Sequence, residues 1–151
     1  MAGGDYIAET KRLLREAPMT AVIVQNLTEE IAELEALLAD ESIASARMDI
    51  IGGGHSTGEL TATEAAAVRR VKMERRIIDL RHRIAAIERK QRAIDRAVNA
   101  LQDDEREIIR ARMAGLSWEM VADKFGYSER WVKKKGGAAI EAIALMMFGT
   151  M

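Results

Sequence analysis

Residues 101–143 read LQDDEREIIRARMAGLSWEMVADKFGYSERWVKKKGGAAIEAI, and their capping residues divide the stretch into three helices. Asp103 and Asp104 stand at a helix start, since an aspartate accepts hydrogen bonds from the free N–H groups of a first turn. Ile108, Ile109 and Met113 give this helix an apolar face, and Gly115 ends it. Ser117 caps a second short helix over residues 118–124, with Glu119 near its positive end. Phe125-Gly126-Tyr127 is a tight turn in which glycine tolerates the positive φ that a side chain resists. Ser128 caps a third helix carrying Glu129, Arg130, Trp131, Val132 and the consecutive lysines Lys133, Lys134 and Lys135. Two short helices joined by a three-residue turn with glycine make a helix-turn-helix. Its expected core is Val121, Ala122, Phe125, Gly126 and Val132, the small Ala122 letting two helices approach.

Upstream, Met73, Ile77, Leu80, Ile84, Ile87, Gln91, Ile94, Val98 and Leu101 step by three and four, a heptad seam on one long helix over residues 63–101. Thr61 or Thr63 caps it, with Glu64 beside its positive end. Gln91 is the polar member of the seam and fixes register. A second seam, Val24, Leu27, Ile31, Leu34 and Leu38, runs to about Asp40, and residues 5–16 form a short helix ended by Ala17-Pro18. Helices of these lengths span ~58 Å and ~34 Å, so the shorter folded back on the longer leaves seam uncovered. The C-terminal module or a second copy of the chain has to bury the rest.

Between the two seams, residues 50–61 (IIGGGHSTGELT) read as a linker. Gly53 and Gly58 have the spacing of a phosphate-binding loop, but Glu59 and Leu60 stand where such a loop needs lysine and a hydroxyl. The chain therefore divides into N-terminal helices of an arm (1–49), a glycine-rich linker (50–62), a long connecting helix (63–101) and a helix-turn-helix module with an apolar C-terminal segment (102–151). The fold class is all-α: an N-terminal helical hairpin or coiled-coil arm followed by a C-terminal helix-turn-helix.

Composition agrees with this division. The chain is 48% hydrophobic and 31% charged but only 4% aromatic, as long helices are. With no cysteine it carries no disulfide framework and no cysteine-based zinc finger, and a reducing cytoplasm is the expected location. No apolar run reaches the ~20 residues that cross a bilayer. Residues 1–60 hold 4 Lys/Arg against 11 Asp/Glu, whereas residues 61–151 hold 19 against 13. A basic half directed at a polyanion explains this, and so do two oppositely charged helices that pair. For Arg69, Arg70, Lys72, Arg75 and Arg76, pairing with the acids of residues 29–41 is the favoured reading.

The quoted stretch is similar to region four of bacterial sigma factors: a leucine before an acidic helix start, a glycine-ended helix, a capped scaffold helix and a serine-led recognition helix. The chain as a whole resembles phage regulators of the ArpU and RinA type, in which a helical hairpin precedes a sigma-like helix-turn-helix. The specific part is GLSWEMVADKFGYSERWV. The resemblance implies sequence-specific duplex DNA binding and activation of late phage genes, with host RNA polymerase as a further partner. A recognition helix turns its N-terminal half to the major groove. Arg130, Lys133 and Lys134 share one broad face. Arg130 has the planar fork that reads guanine, and Glu129 can accept from a cytosine amino group. Ser117, Trp118 and Ser128 lie at helix starts, where backbone N–H groups meet phosphates. Trp131 and Lys135 complete the expected DNA-binding set, although the general helix-turn-helix pattern calls for an apolar residue at position 135, and both tryptophans also fit core or rim packing.

No catalytic residues, cofactor or metal ligands are expected. Neither His55 nor His82 has ligand spacing, and Asp103, Asp104 and Glu105 are explained by capping. A homo-oligomer through the arm is expected, without membrane association. Two other roles fit the same residues: a small terminase subunit, and an anti-sigma or polymerase-binding module that has left DNA. Gly136-Gly137 leaves open a continuous third helix or a break that isolates residues 138–148. In a continuous helix, alanine at both positions is expected to stabilise by up to about 2 kcal/mol.

Overall fold

The computed structural model describes residues 3–51 and 61–149, of which the side chains of residues 42 and 44–51 are left aside. Every regular element among them is helical: α1 (Gly3–Glu16), α2 (Thr20–Ile51), α3 (Ala62–Asn99), α4 (Asp103–Met113), α5 (Trp118–Phe125) and α6 (Glu129–Phe148), with a single 3-10 turn at Ala17–Met19. The chain is thus all-α. It divides into two compact units, one running from Val22 to Ala86, the other made of the residues up to Ala21 and those from Ile87 onward.

The Val22–Ala86 unit is a helix pair. Ile31, Ile77 and Leu80 are buried at its centre, with Leu27, Leu34, Leu38 and Ile84 packed around them, so the two heptad seams meet as their spacing requires. Glu41 meets Arg69 at 3.3 Å and Glu30 meets Arg76 at 3.0 Å, an antiparallel order, and Glu35 pairs with Arg81 at 2.5 Å. These pairs are solvent-exposed and worth only ~0–1 kcal/mol each. What they decide is where these arginines point, which is to the acidic helix of the same chain. α2 passes Asp40 and continues to Ile51 because nothing in residues 41–51 breaks a helix before Gly52. Within the continuous helix Thr28 donates its hydroxyl to the Val24 carbonyl at 2.7 Å. At the start of α3 a reciprocal cap forms: Glu64 N–H donates to Thr61 Oγ1 and Thr61 N–H to Glu64 Oε2, both at 3.1 Å. His55 and most of the glycine-rich stretch lie outside the described residues.

The other unit corrects one expectation. α1, grouped by sequence with the arm, packs on the C-terminal helices. Its Leu13 and Leu14, with Ala17, join Ile94, Ala97, Val98 and Leu101 of the α3 end, Ile109 of α4, and Ala139, Ile140 and Ile143 of α6 in one buried cluster. Tyr6 stacks near Phe148 with ring centroids 5.2 Å apart. Thr10, fully buried in this surround, donates its hydroxyl to the Tyr6 carbonyl at 2.8 Å, so no polar atom is stranded there. The seam from Ile94 to Leu101 is therefore covered within the chain, which removes one motive for expecting a second copy. Gln91 Oε1 lies 3.0 Å from the Thr20 hydroxyl, and its amide donates to Asp95 Oδ1 at 3.0 Å. The polar seam position is thus satisfied beside the α1–α2 junction.

α6 is continuous through Gly136 and Gly137 and ends at Gly149 in the left-handed region. No break isolates residues 138–148, and their apolar face is the one that α1 and α4 cover. A methyl at Gly137 would meet nothing within 4 Å. Gly137→Ala is expected to stabilise by up to ~1 kcal/mol, from helix propensity alone. An unchanged or lowered chemical-denaturation midpoint would contradict this.

Candidate nucleic-acid interface

α4 closes on Gly115, at φ +95°, with Leu116 N–H donating to Ala111 O at 3.1 Å and Gly115 N–H to Arg112 O at 3.0 Å. Its start differs from expectation. The cap position falls on Gln102, whose side chain does not cap, while Asp104 Oδ1 accepts from Glu105 N–H at 2.8 Å and Asp103 pairs with Arg106 at 3.2 Å. The acids thus still serve the first turn, from inside it rather than ahead of it. Among the described residues no group of three acids or histidines is placed to hold a metal, and His82 is exposed.

The next two helices begin as their serines require. Ser117 Oγ accepts from Met120 N–H and Ser128 Oγ from Trp131 N–H, each at 3.2 Å. Between them Gly126 takes φ +74°, and its N–H and that of Tyr127 both donate to Ala122 O, at 2.9 and 3.0 Å. A side chain at Gly126 would be strained in that backbone. Ile108, Ala111, Val121, Ala122 and Val132 form the buried cluster beneath, with Phe125, Trp118 and Trp131 packed against it. Val121 and Val132 are fully buried, so the opposite face of early α6 is the solvent face.

That face carries Glu129, Arg130, Lys133 and Lys134, all exposed. Lys133 pairs with Glu129 at 3.0 Å. Among the described residues Arg130 and Lys134, one turn apart, have no ion-pair partner. Lys135 stands apart from them: it reaches Asp104 Oδ2 at 3.1 Å and lies 5.7 Å over the Trp131 ring. This accounts for a lysine at a position where the general helix-turn-helix pattern is apolar. Trp131 in turn stacks on Tyr127, centroids 4.0 Å apart. Trp118 is a packing residue, with the Arg112 guanidinium 4.4 Å over its ring and Gly136 against its edge. The chain matches no known family model, no curated protein and no solved structure.

Tyr127 is absent from the expected interface although it is half-exposed beside Trp131. Its spacing of four from Trp131, across a helix cap, was the available signal. The Trp118–Gly136 contact has none, since the two stand 18 positions apart in the sequence.

The Lys135 ammonium and the Glu105 N–H hold the Asp104 carboxyl below the usual aspartate range. A carboxyl lowered on folding stabilises above its unfolded pKa, and that contribution is lost as pH falls through the folded value. The tie between α4 and α6 is therefore complete above about pH 4 and fails only below it. Carbon-detected NMR titration should find Asp104 titrating below the usual aspartate range, and Lys135→Gln should raise it. An unmoved Asp104 in that variant would show that the lysine is not its partner in solution.

Proposed function

We propose that this chain binds duplex DNA by placing the start of α6 in the major groove, as a phage or prophage regulator that activates late genes. The observation that carries the reading is the unpaired cationic couple Arg130 and Lys134, exposed over the fully buried Val132 and behind two serine-capped helix starts. Cations held without an internal partner are available to phosphates and base edges. The likeness of GLSWEMVADKFGYSERWV to sigma region four, and of the whole chain to ArpU- and RinA-type regulators, supports the regulatory role. The arginines of the arm add little, because Arg69, Arg76 and Arg81 are already occupied by acids of α2. Self-association through the arm belongs to the same proposal. Its support is the exposure of Leu37, Val71 and Ile78, and sedimentation measures it.

Gel shifts at several salt concentrations test the reading. Lys134→Ala is expected to weaken binding to all duplexes alike and to shallow the salt dependence by about one unit of log–log slope. Lys135→Ala should change the slope less, since Asp104 already holds that ammonium. Equal effects of the two variants would place the phosphate path elsewhere on α6.

A further inference from the structure

α1, α4, α6 and the start of α5 line a cavity of about 430 Å3 that is open to solvent. Its floor is apolar, built from Leu14, Ile109 and Ile140, and Trp118 supplies a wall. Three cations line it as well: Lys11 and Arg15, one turn apart on α1, and Arg112 near the end of α4. None of the lining residues is acidic. The nearby α1 acids Glu9 and Glu16 both pair with Arg12, and neither lines the cavity. Among the described residues Lys11 and Arg15 have no ion-pair partner. Arg112 is fixed in plane by its hydrogen bond to Leu116 O at 2.8 Å and by the Trp118 ring, with donors left over.

An apolar floor with convergent cations selects a ligand with two properties. The body must be apolar to gain from burial, and the head must be anionic to meet cations that no acid of the lining occupies. The volume falls low in the ~300–1,000 Å3 range of small-molecule pockets, which suits a compact molecule rather than a peptide. We infer that this cavity binds a small amphipathic monoanion, a carboxylic acid with an aromatic or aliphatic body. The carboxylate sits at Lys11 and Arg15, and the body lies on Leu14 and Ile140 beside the Trp118 indole. The inference stands apart from the DNA proposal, and its test contains no DNA.

Calorimetric titration of the full chain with 3-phenylpropanoate and with octanoate, each against its neutral amide, is the experiment. Saturable binding is expected for the acids, tighter than for the amides by at least about tenfold, the worth of one charge-assisted contact. Tryptophan fluorescence should change in step, because Trp118 lines the site. Lys11→Gln with Arg15→Gln should abolish the preference for the acids, whereas Arg89→Gln on exposed α3 surface should leave it intact. Both cavity substitutions are at exposed positions, so the helical circular dichroism should be kept. The wild-type comparison decides even if it is not. No saturable binding, or amides that bind as well as the acids, would overturn the assignment.

Discussion

Gly136→Ala is expected to destabilise the protein by up to ~2 kcal/mol, because overpacking costs up to about 3 and helix propensity returns about 1. Gly136 is buried in α6, and a Cβ built there lies 2.6 Å from Trp118 Cζ3, closer still to Cη2, and 3.5 Å from Ile108 Cγ2. Moving the indole aside would give up its stacking with Arg112 and its packing on the Ile108 cluster. For a chain of this size the largest such loss lowers the melting midpoint by roughly 4–8 °C. Sequence alone had both glycines gaining from alanine in a continuous helix. The helix is continuous, and the expectation still fails at Gly136, because the ring that needs the space comes from α5. Adding Trp118→Leu to Gly136→Ala should recover part of the loss, and a double variant no better than additive would show that the ring is not the cause.

Arg130→Ala is expected to cost about 1–3 kcal/mol on a specific duplex while changing nonspecific binding far less. Arg130 is exposed and unpaired at the start of α6, where its fork can meet a guanine edge, whereas the neighbouring Lys133 is half-committed to Glu129. The loss should be concentrated at one base pair, so that a set of single-base variants of the site becomes equivalent at that position. Competition binding with such a set reads this directly. A loss spread evenly over all duplexes would make Arg130 a phosphate contact.

Much of this architecture could be read from spacing. The heptad steps of Ile31, Ile77 and Leu80, the caps at Ser117 and Ser128 and the turn at Gly126 are local patterns, and each forms as its residues require. The placement of α1 was not readable, because an amphipathic helix records that it buries a face and not against which partner. The same holds for Lys135, whose role depends on Asp104 some thirty positions away, and for the rim of Lys11 and Arg15 opposite Arg112. Pairing of the arm arginines was readable in kind, from opposite charges on two helices, though not residue by residue.

The most direct test of the central claim is selection of bound duplexes from a random pool by the full chain, followed by titration of the selected duplex at low and moderate salt. The account predicts a defined sequence, and a loss of at least ~100-fold in affinity when Arg130, Lys133 and Lys134 are all replaced by alanine. Failure to retain any duplex at low salt, or an affinity unmoved by the triple substitution, would contradict it.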